Sequence, residues 1–220
     1  MVADPQTLEP VPLVGTSVGE IFMRGNTVMN VFKGVDASMQ RKTSRLLLRR
    51  PGAQDLGSLF AIYGDPATHR FNPAGPLTAI DQAESLLEDW LKHWRENGYG
   101  QWAIATLEAP GTVIGFGGID ARNYLEVERL NLGYRFAVAA WGKGYATELG
   151  RSALDFGFTE LMLPQIHAVV RPAHSASISV LEKIGMQQVG ILADVPGQAP
   201  SLVFRACHPR LEGRSDASDG

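Results

Sequence analysis

The sequence predicts an α/β fold on one mixed β-sheet. Apolar runs joined by short glycine and proline turns indicate hairpins in the first part of the chain, and a strand-helix-strand unit follows later. Hydrophobic residues make up 45% of the 220 residues and charged residues 20%, a balance that excludes a disordered chain. A chain of this length can bury enough surface to fold without disulfides or structural metals.

The first part of the predicted domain combines one strand with two helices. Residues 45–49 form an apolar run before a Pro-Gly turn, which predicts a strand. Residues 55–63 carry apolar side chains at helical spacing, and residues 78–96 form the clearest amphipathic helix, with one apolar stripe. Thr78 is predicted to cap this second helix.

The remaining strands and helices follow in the second part of the chain. Residues 101–107 and 112–119 predict a hairpin, and residues 127–138 predict a further extended segment. The glycine-rich run 115–118 lies inside a strand, which favours close strand packing over a nucleotide-binding loop. The later predicted elements are a helix at 144–160, a strand at 165–170, a helix at 175–184, and strands at 186–192 and 201–207.

The two ends of the chain lack the periodicity of its body. We expect residues 1–43 to be an N-terminal extension, residues 44–208 to be the domain, and residues 209–220 to be a disordered tail. Short apolar runs between residues 14 and 34 fit either a short hairpin, which covers the body or pairs with a partner chain such as a second copy in a homodimer, or a loosely ordered extension. Both interpretations stay open.

Composition and charge exclude several classes of function. A formal net charge of −3 argues against a nucleic-acid partner bound through a broad basic surface. The sequence shows neither a membrane helix nor a signal peptide, so a cytoplasmic protein with no membrane partner is expected. The single cysteine, Cys207, is predicted to be a small apolar residue near a strand end, and His69 and His93 lack metal-ligand spacing, so no metal is expected.

The strongest chemical signal lies where the extended segment 127–138 meets the helix 144–160. The sequence there reads Trp141-Gly142-Lys143-Gly144-Tyr145-Ala146-Thr147-Glu148. Glycine lets the backbone approach a ligand closely, and the unpaired N–H groups of a helix start favour anions. The spacings of the Walker A and Rossmann motifs are absent. The segment therefore predicts a phosphate-binding loop of another kind.

This loop resembles the acyl-CoA pyrophosphate loop of the GNAT superfamily of N-acetyltransferases, most closely the branch of ribosomal-protein alanine N-acetyltransferases. Three further blocks resemble the same branch in the same order: residues 43–49, 114–119 and 174–186. The resemblance extends over roughly residues 43–192. It implies a GNAT-like fold, in which the single mixed sheet is mostly antiparallel, helices flank it, and a central pair of strands is splayed.

The resemblance also implies a reaction and its acyl donor. Acetyl-CoA would place its pantetheine arm in the splayed strand pair, and a primary amine of a small molecule or protein N-terminus would attack the thioester directly. The residues expected to bind acetyl-CoA are Phe136, Ala137, Val138, Gly142, Lys143, Gly144, Tyr145, Ala146, Thr147 and His174.

Two departures from the family pattern concern the catalytic groups. The pattern often carries a glutamate where this chain has Asn131, which is not a base at neutral pH, so Glu128, directly or through water, is the expected general base. Some relatives donate a proton from a tyrosine where this chain has Leu181, so Ser177 is the expected donor to the thiolate. The alternatives are a solvated charge for Glu128, a backbone-bonding hydroxyl for Ser177, and a surface position near the helix start for His174.

The acceptor pocket is expected to form from the loop 69–76, the second helix and the first hairpin. Phe71 and Trp102 are candidates to line it, with a core position favoured for Trp102. Two other function classes stay open: a non-catalytic acyl-CoA sensor, suggested by the two departures, and an assembly module built on the N-terminal extension. Thiol release with a panel of amines tests the first, and deletion of residues 1–40 tests the second.

Overall fold

The strand and helix patterns of the sequence form one eight-stranded sheet and four α-helices within residues 40–124 and 127–209, the part of the chain that the computed structural model describes. The strands are β1 (Gln40–Lys42), β2 (Leu46–Arg49), β3 (Gln101–Thr106), β4 (Val113–Tyr124), β5 (Val127–Phe136), β6 (Gln165–Val170), β7 (Gln187–Leu192) and β8 (Ser201–Cys207). The helices are α1 (Leu56–Tyr63), α2 (Ile80–Asn97), α3 (Tyr145–Thr159) and α4 (Ser175–Lys183).

The strands follow the order β1-β2-β3-β4-β5-β6-β8-β7 across the sheet. Every neighbouring pair is antiparallel except β5 and β6, which are parallel. Asn131 and His167 are the single registered pair between β5 and β6, whereas β4 and β5 pair continuously from end to end. The predicted mixed, mostly antiparallel sheet with a splayed central pair is confirmed.

The helices cover opposite faces of the sheet. The ring centroids of Phe116 in β4 and Trp90 in α2 lie 5.4 Å apart. A Cβ at the next residue, Gly117, would instead lie 2.7 Å from Leu149 of α3. Since successive strand residues point to opposite faces, α2 and α3 lie on different sides of the sheet. The core beneath α1 and α2 consists of Leu59, Ile62, Ala83, Leu87, Trp90, Ala103 and Phe116.

One strand was not predicted, and two strand ends differ by two residues or more from those predicted. The strand Gln40–Lys42 falls within the predicted extension, and it pairs with β2. β4 continues past its predicted end to Tyr124, because its polar last residues pair with β5 in the same ladder. The extended segment predicted at 127–138 ends at Phe136, where the backbone turns into the 3-10 helix Val138–Ala140.

The predicted cap of α2 is wrong. The helix begins at Ile80, after Ala79, and no Thr78 hydroxyl caps its first amides. Instead, the Gln82 side-chain oxygen accepts hydrogen bonds from the backbone N–H groups of Thr78 at 2.7 Å and Ala79 at 3.2 Å. Gln82 thus supplies the N3 half of a capping box one residue later than predicted, with alanine in place of Ser or Thr at the N-cap.

The interpretations offered for residues 14–34 and for the C-terminal tail lie outside the described residues. Within the described part, no helix is long and apolar enough to cross a bilayer. Nor do residues 40–124 and 127–209 contain a group of three or more His, Cys, Asp or Glu side chains arranged to hold a metal ion. Cys207 ends β8 and is partly buried, as the sequence predicts.

Close packing of two backbones explains Gly118, the last glycine of the run in β4. A methyl group at Gly118 would collide with the carbonyl oxygen of Gly100. We expect Gly118→Ala to lower the free energy of unfolding by about 3 kcal/mol, because a backbone carbonyl cannot rotate away from the added atom. Gly57→Ala in α1 is the control, since a Cβ there meets nothing within 4 Å. Urea unfolding checks both, and equal stability of Gly118→Ala and the wild type would contradict the packing argument.

Candidate active site

The backbone between β5 and α3 forms a turn with available amide groups. Gly142 and Gly144 have φ angles of 72° and 79°, a left-handed conformation that favours glycine. The Glu148 N–H donates to the Gly144 carbonyl at 3.1 Å, so the amides just before Glu148 have no acceptor within the helix. Lys143 is exposed between the two glycines. This is a backbone arrangement suited to binding an anion.

Hydrogen bonds with residues near the start of the domain sequence hold this turn in place. Glu148 accepts hydrogen bonds from Thr43 Oγ1 at 2.5 Å and from the Arg45 backbone N–H and Nε, both at 2.7 Å. Arg45 Nη1 donates to the Lys143 carbonyl at 2.9 Å, and the Arg45 guanidinium lies 4.9 Å from the Tyr145 ring centroid. Neither Arg45 nor Glu148 had an expected role, because only the fold brings the two residues together.

The ionisation of Glu148 follows from the same contacts. Burial would raise the pKa of its carboxyl, but hydrogen bonds from Thr43 and Arg45 outweigh burial and lower that pKa below the ordinary value. The carboxylate therefore remains charged and paired with Arg45. The positive charge of Arg45 consequently offsets the negative charge of Glu148, which would otherwise repel an anion at the start of α3.

Hydrogen-bond alternation along β5 determines which backbone groups face β6. The Ala137 N–H donates to the Ile114 carbonyl at 2.9 Å, so Ala137 and every second residue before it bond to β4. The N–H groups of Tyr134 and Phe136 therefore point the other way, beyond the registered pair of Asn131 with His167. They face the gap that opens between β5 and β6.

The three backbone positions expected to pair with pantetheine differ in what they offer. The Phe136 carbonyl accepts a hydrogen bond from Trp141 Nε1 at 3.0 Å. The Ala137 carbonyl accepts from Ala140 N–H at 2.9 Å, and the Val138 carbonyl accepts from Trp141 N–H at 3.0 Å. These three carbonyls already accept hydrogen bonds from within the turn, whereas the Phe136 N–H faces the gap.

Four side chains meet beside this gap. Tyr134 Oη donates to Ser177 Oγ at 3.3 Å, and Ser177 Oγ lies 3.3 Å from His174 Nε2. The Phe71 ring stacks on the His174 imidazole, with centroids 4.3 Å apart and planes 19° from parallel. Burial raises the pKa of Tyr134, which the hydrogen bond to Ser177 partly offsets, and burial lowers the pKa of His174. At neutral pH, Tyr134 keeps its proton and His174 is uncharged, so protons can be exchanged through Ser177.

The structure places some of the expected site residues together and others apart. Ser177, His174 and Phe71 form one cluster, and Tyr134 joins it although it was not among the expected site residues. The alternating apolar residues of β5, which include Tyr134, were the sequence feature that could have indicated it. Glu128 is exposed and precedes Tyr134 by six residues on β5, which is about 20 Å along an extended strand. Its role as general base stays a prediction.

Trp102 belongs to the core. It is 1% exposed, and its ring lies 5.4 Å from that of Phe156 in α3. The preference for a core position over the acceptor pocket is confirmed. His69, at the start of the predicted pocket loop, is also buried and contacts Arg135. Burial and the Arg135 charge both lower the pKa of His69.

Comparisons with known proteins agree with this geometry. A family model described as an acetyltransferase (GNAT) domain matches residues 45–187. The uncharacterized N-acetyltransferase p20 of Bacillus licheniformis is 32% identical over 155 residues, which cover 69% of this chain and 84% of that protein. The uncharacterized N-acetyltransferase YoaA of Bacillus subtilis is 30% identical over 154 residues, with coverage of 69% and 84%.

Solved structures share the fold. A GNAT-family acetyltransferase from Bacillus anthracis gives a TM-score of 0.64 at 21% identity, covering 77% of this chain and 99% of its own. Spermidine N-acetyltransferase from Vibrio cholerae, in complex with CoA and spermine, gives 0.62 at 21% identity, covering 75% and 96%. RimJ from Mycobacterium smegmatis, in complex with CoA-disulfide, gives 0.63 at 21% identity, covering 78% and 88%.

The segment that the family model matches, residues 45–187, includes both the turn before α3 and the point where β5 and β6 part. The resemblance inferred from four short sequence blocks is therefore confirmed over most of the domain. The chain belongs to the GNAT family of acetyltransferases.

Proposed function

We propose that this enzyme transfers an acetyl group from acetyl-CoA directly to a primary amine of a small molecule or a protein N-terminus. The observation that carries the proposal is the pairing of two features on β5. The strand ends in an anion-binding turn at residues 142–147, and just before it the N–H groups of Tyr134 and Phe136 face a gap in the sheet. An extended ligand with a pyrophosphate and a thioester fits both features.

The donor side of the site is formed largely by backbone. The amides of residues 142–147 hold the pyrophosphate, and Lys143 adds a positive charge beside them. The Arg45–Glu148 contacts keep this turn in its binding conformation before the ligand arrives. When bound, acetyl-CoA supplies an activated thioester, and the neighbouring N–H groups of Tyr134 and Phe136 are positioned to polarise its carbonyl.

The Tyr134–Ser177–His174 cluster supports proton donation to the leaving sulfur. Ser177 gives its hydroxyl proton to the thiolate and is reprotonated through Tyr134 Oη, which it contacts at 3.3 Å. His174 orients the Ser177 hydroxyl from the other side, and Phe71 holds the imidazole by stacking. Glu128, the general base expected from the sequence, lies about 20 Å along β5 from Tyr134, so it could take the amine proton only through water.

An amine acceptor is supported by the chemistry of one structural relative, the Vibrio cholerae protein solved with CoA and spermine. Release of CoA thiol from acetyl-CoA tests the proposal with a panel of spermidine, an aminoglycoside and peptides with free N-termini. We expect at least one class to raise the rate of thiol release and to yield an acetylated amine by mass spectrometry. Acetyl-CoA binding without release across the panel would instead support the sensor interpretation.

Charge reversal in the turn tests the donor site. We expect Lys143→Glu to weaken acetyl-CoA binding about tenfold, equivalent to about 1.4 kcal/mol, because a carboxylate would face the pyrophosphate. Gly144→Pro should abolish binding, since proline requires φ near −65° and Gly144 has 79°. Lys92→Glu is the matched control on α2, where Lys92 lies 4.0 Å from Glu96. Calorimetry measures all three, and wild-type affinity in Lys143→Glu would remove the assignment.

Removal of one hydroxyl tests the proton donor. We expect Ser177→Ala to lower kcat about 100-fold with little change in the KM for acetyl-CoA, because the thiolate loses its acid. Ser179→Ala in the same helix is the control and should leave kcat near the wild-type value. Steady-state thiol release gives both constants. A wild-type kcat in Ser177→Ala would show that the hydroxyl has a structural role alone.

A further inference from the structure

A row of buried polar side chains crosses the sheet where β5 and β6 separate. Asp120 pairs with Asn131 across β4 and β5, and Asn131 pairs with His167 across β5 and β6. The three residues are 8%, 6% and 5% exposed. The row therefore lies at the base of the gap, at the last point where the two parallel strands are in register.

The row points away from α3, toward the face covered by α1 and α2. Each member of the row has a sequence neighbour whose side chain lies near a glycine of α3. These neighbours are Ile119, Leu132 and Ile166. Since side chains alternate along a strand, the polar row occupies the opposite face. This is also the face of Arg135 and His69, and the predicted acceptor loop begins at His69.

Two members of the row are satisfied, and the third is not. Asp120 forms an ion pair with Arg122 at 3.1 Å, and Asn131 Oδ1 accepts a hydrogen bond from Tyr124 Oη at 3.1 Å. His167 Nδ1 is buried and has no hydrogen-bond partner among the described residues. A buried polar atom without a partner costs about 1–3 kcal/mol, so its presence calls for a functional explanation.

The surroundings of His167 keep its imidazole neutral. Burial lowers the pKa of His167, and the positive charges of Arg129 on β5 and Arg205 on β8 lower it further. A neutral imidazole has one nitrogen able to accept a proton at physiological pH. From Asn131, the cross-strand partner of His167, the gap-facing N–H of Tyr134 is about 10 Å farther along β5.

We infer that His167 is the general base that takes the proton of the attacking amine through a short chain of water molecules, an inference that rests on the proposed acetyl transfer. As the amine nitrogen bonds to the carbonyl carbon, the carbon–sulfur bond breaks and its electron pair leaves with sulfur. One N–H proton passes to His167 and then to solvent, while Ser177 protonates the sulfur. The asparagine at position 131 is thereby explained, because the base stands on the next strand.

The test compares His167→Gln with the wild type in thiol release from pH 5 to 9, using the fastest amine of the panel. We expect kcat to fall about 100-fold and the acidic inflection of kcat/KM to disappear. The affinity for acetyl-CoA and the melting temperature should stay at wild-type values, which separates a lost base from a damaged fold. Histidine NMR adds a second readout: the resonance missing in His167→Gln should titrate below about 6.5 in the wild type and shift with acetyl-CoA.

Two further variants make the comparison specific. His93→Gln removes another imidazole with a buried, unpartnered nitrogen, on α2 rather than at the gap, and should keep the acidic inflection. Glu128→Gln tests the rival base. The inference is overturned if His167→Gln keeps the inflection, or if Glu128→Gln alone removes it. If no amine drives thiol release, the proposed function fails separately, and a His167 resonance insensitive to acetyl-CoA then overturns the inference as well.

Discussion

The rest of the site depends on the early parting of two parallel strands. β5 and β6 share one registered pair, although each continues beyond it. Backbone groups inside a sheet ordinarily bond to a neighbouring strand. Where a strand separates from its neighbour, its N–H groups on that side no longer bond to that strand and can bond to a ligand instead. The parting is maintained from both sides: β4 holds β5 along its whole length, and β8 holds β6 in the same way. The fold thus leaves an opening between two strands of a sheet that is otherwise continuous.

Much of the fold could be predicted from the sequence, because strand alternation and helical spacing are local properties. The turn before α3 was equally accessible, since two glycines around a lysine at a helix start are adjacent in the chain. The contacts that hold this turn, and those that form the side-chain cluster beside the gap, are not local. Arg45 and Glu148 are 103 residues apart, and Tyr134 and Ser177 are 43 apart. No pattern in a single sequence pairs such residues.

The same limit separates Glu128 from His167 as candidate bases. Parity along β5 drew attention to Glu128, and no reading of one strand can reveal which residue of another strand lies beside it. Register supplied that information, by placing His167 next to Asn131 on the face away from α3. The cap of α2 was misplaced by one residue: Gln82, at the third helical position, accepts from the backbone N–H of Ala79, and alanine at that position gives no capping signal.

The solvent exposure of Trp141 has a consequence for the fluorescence of the protein. Its indole bonds the Phe136 carbonyl at the end of β5, yet half of its surface is open to solvent. The other three tryptophans, Trp90, Trp94 and Trp102, are each at least nine-tenths buried. Emission at long wavelength should therefore come mainly from Trp141, which adjoins the turn before α3. A ligand that binds at the proposed donor site would change the surroundings of this indole and hence its emission.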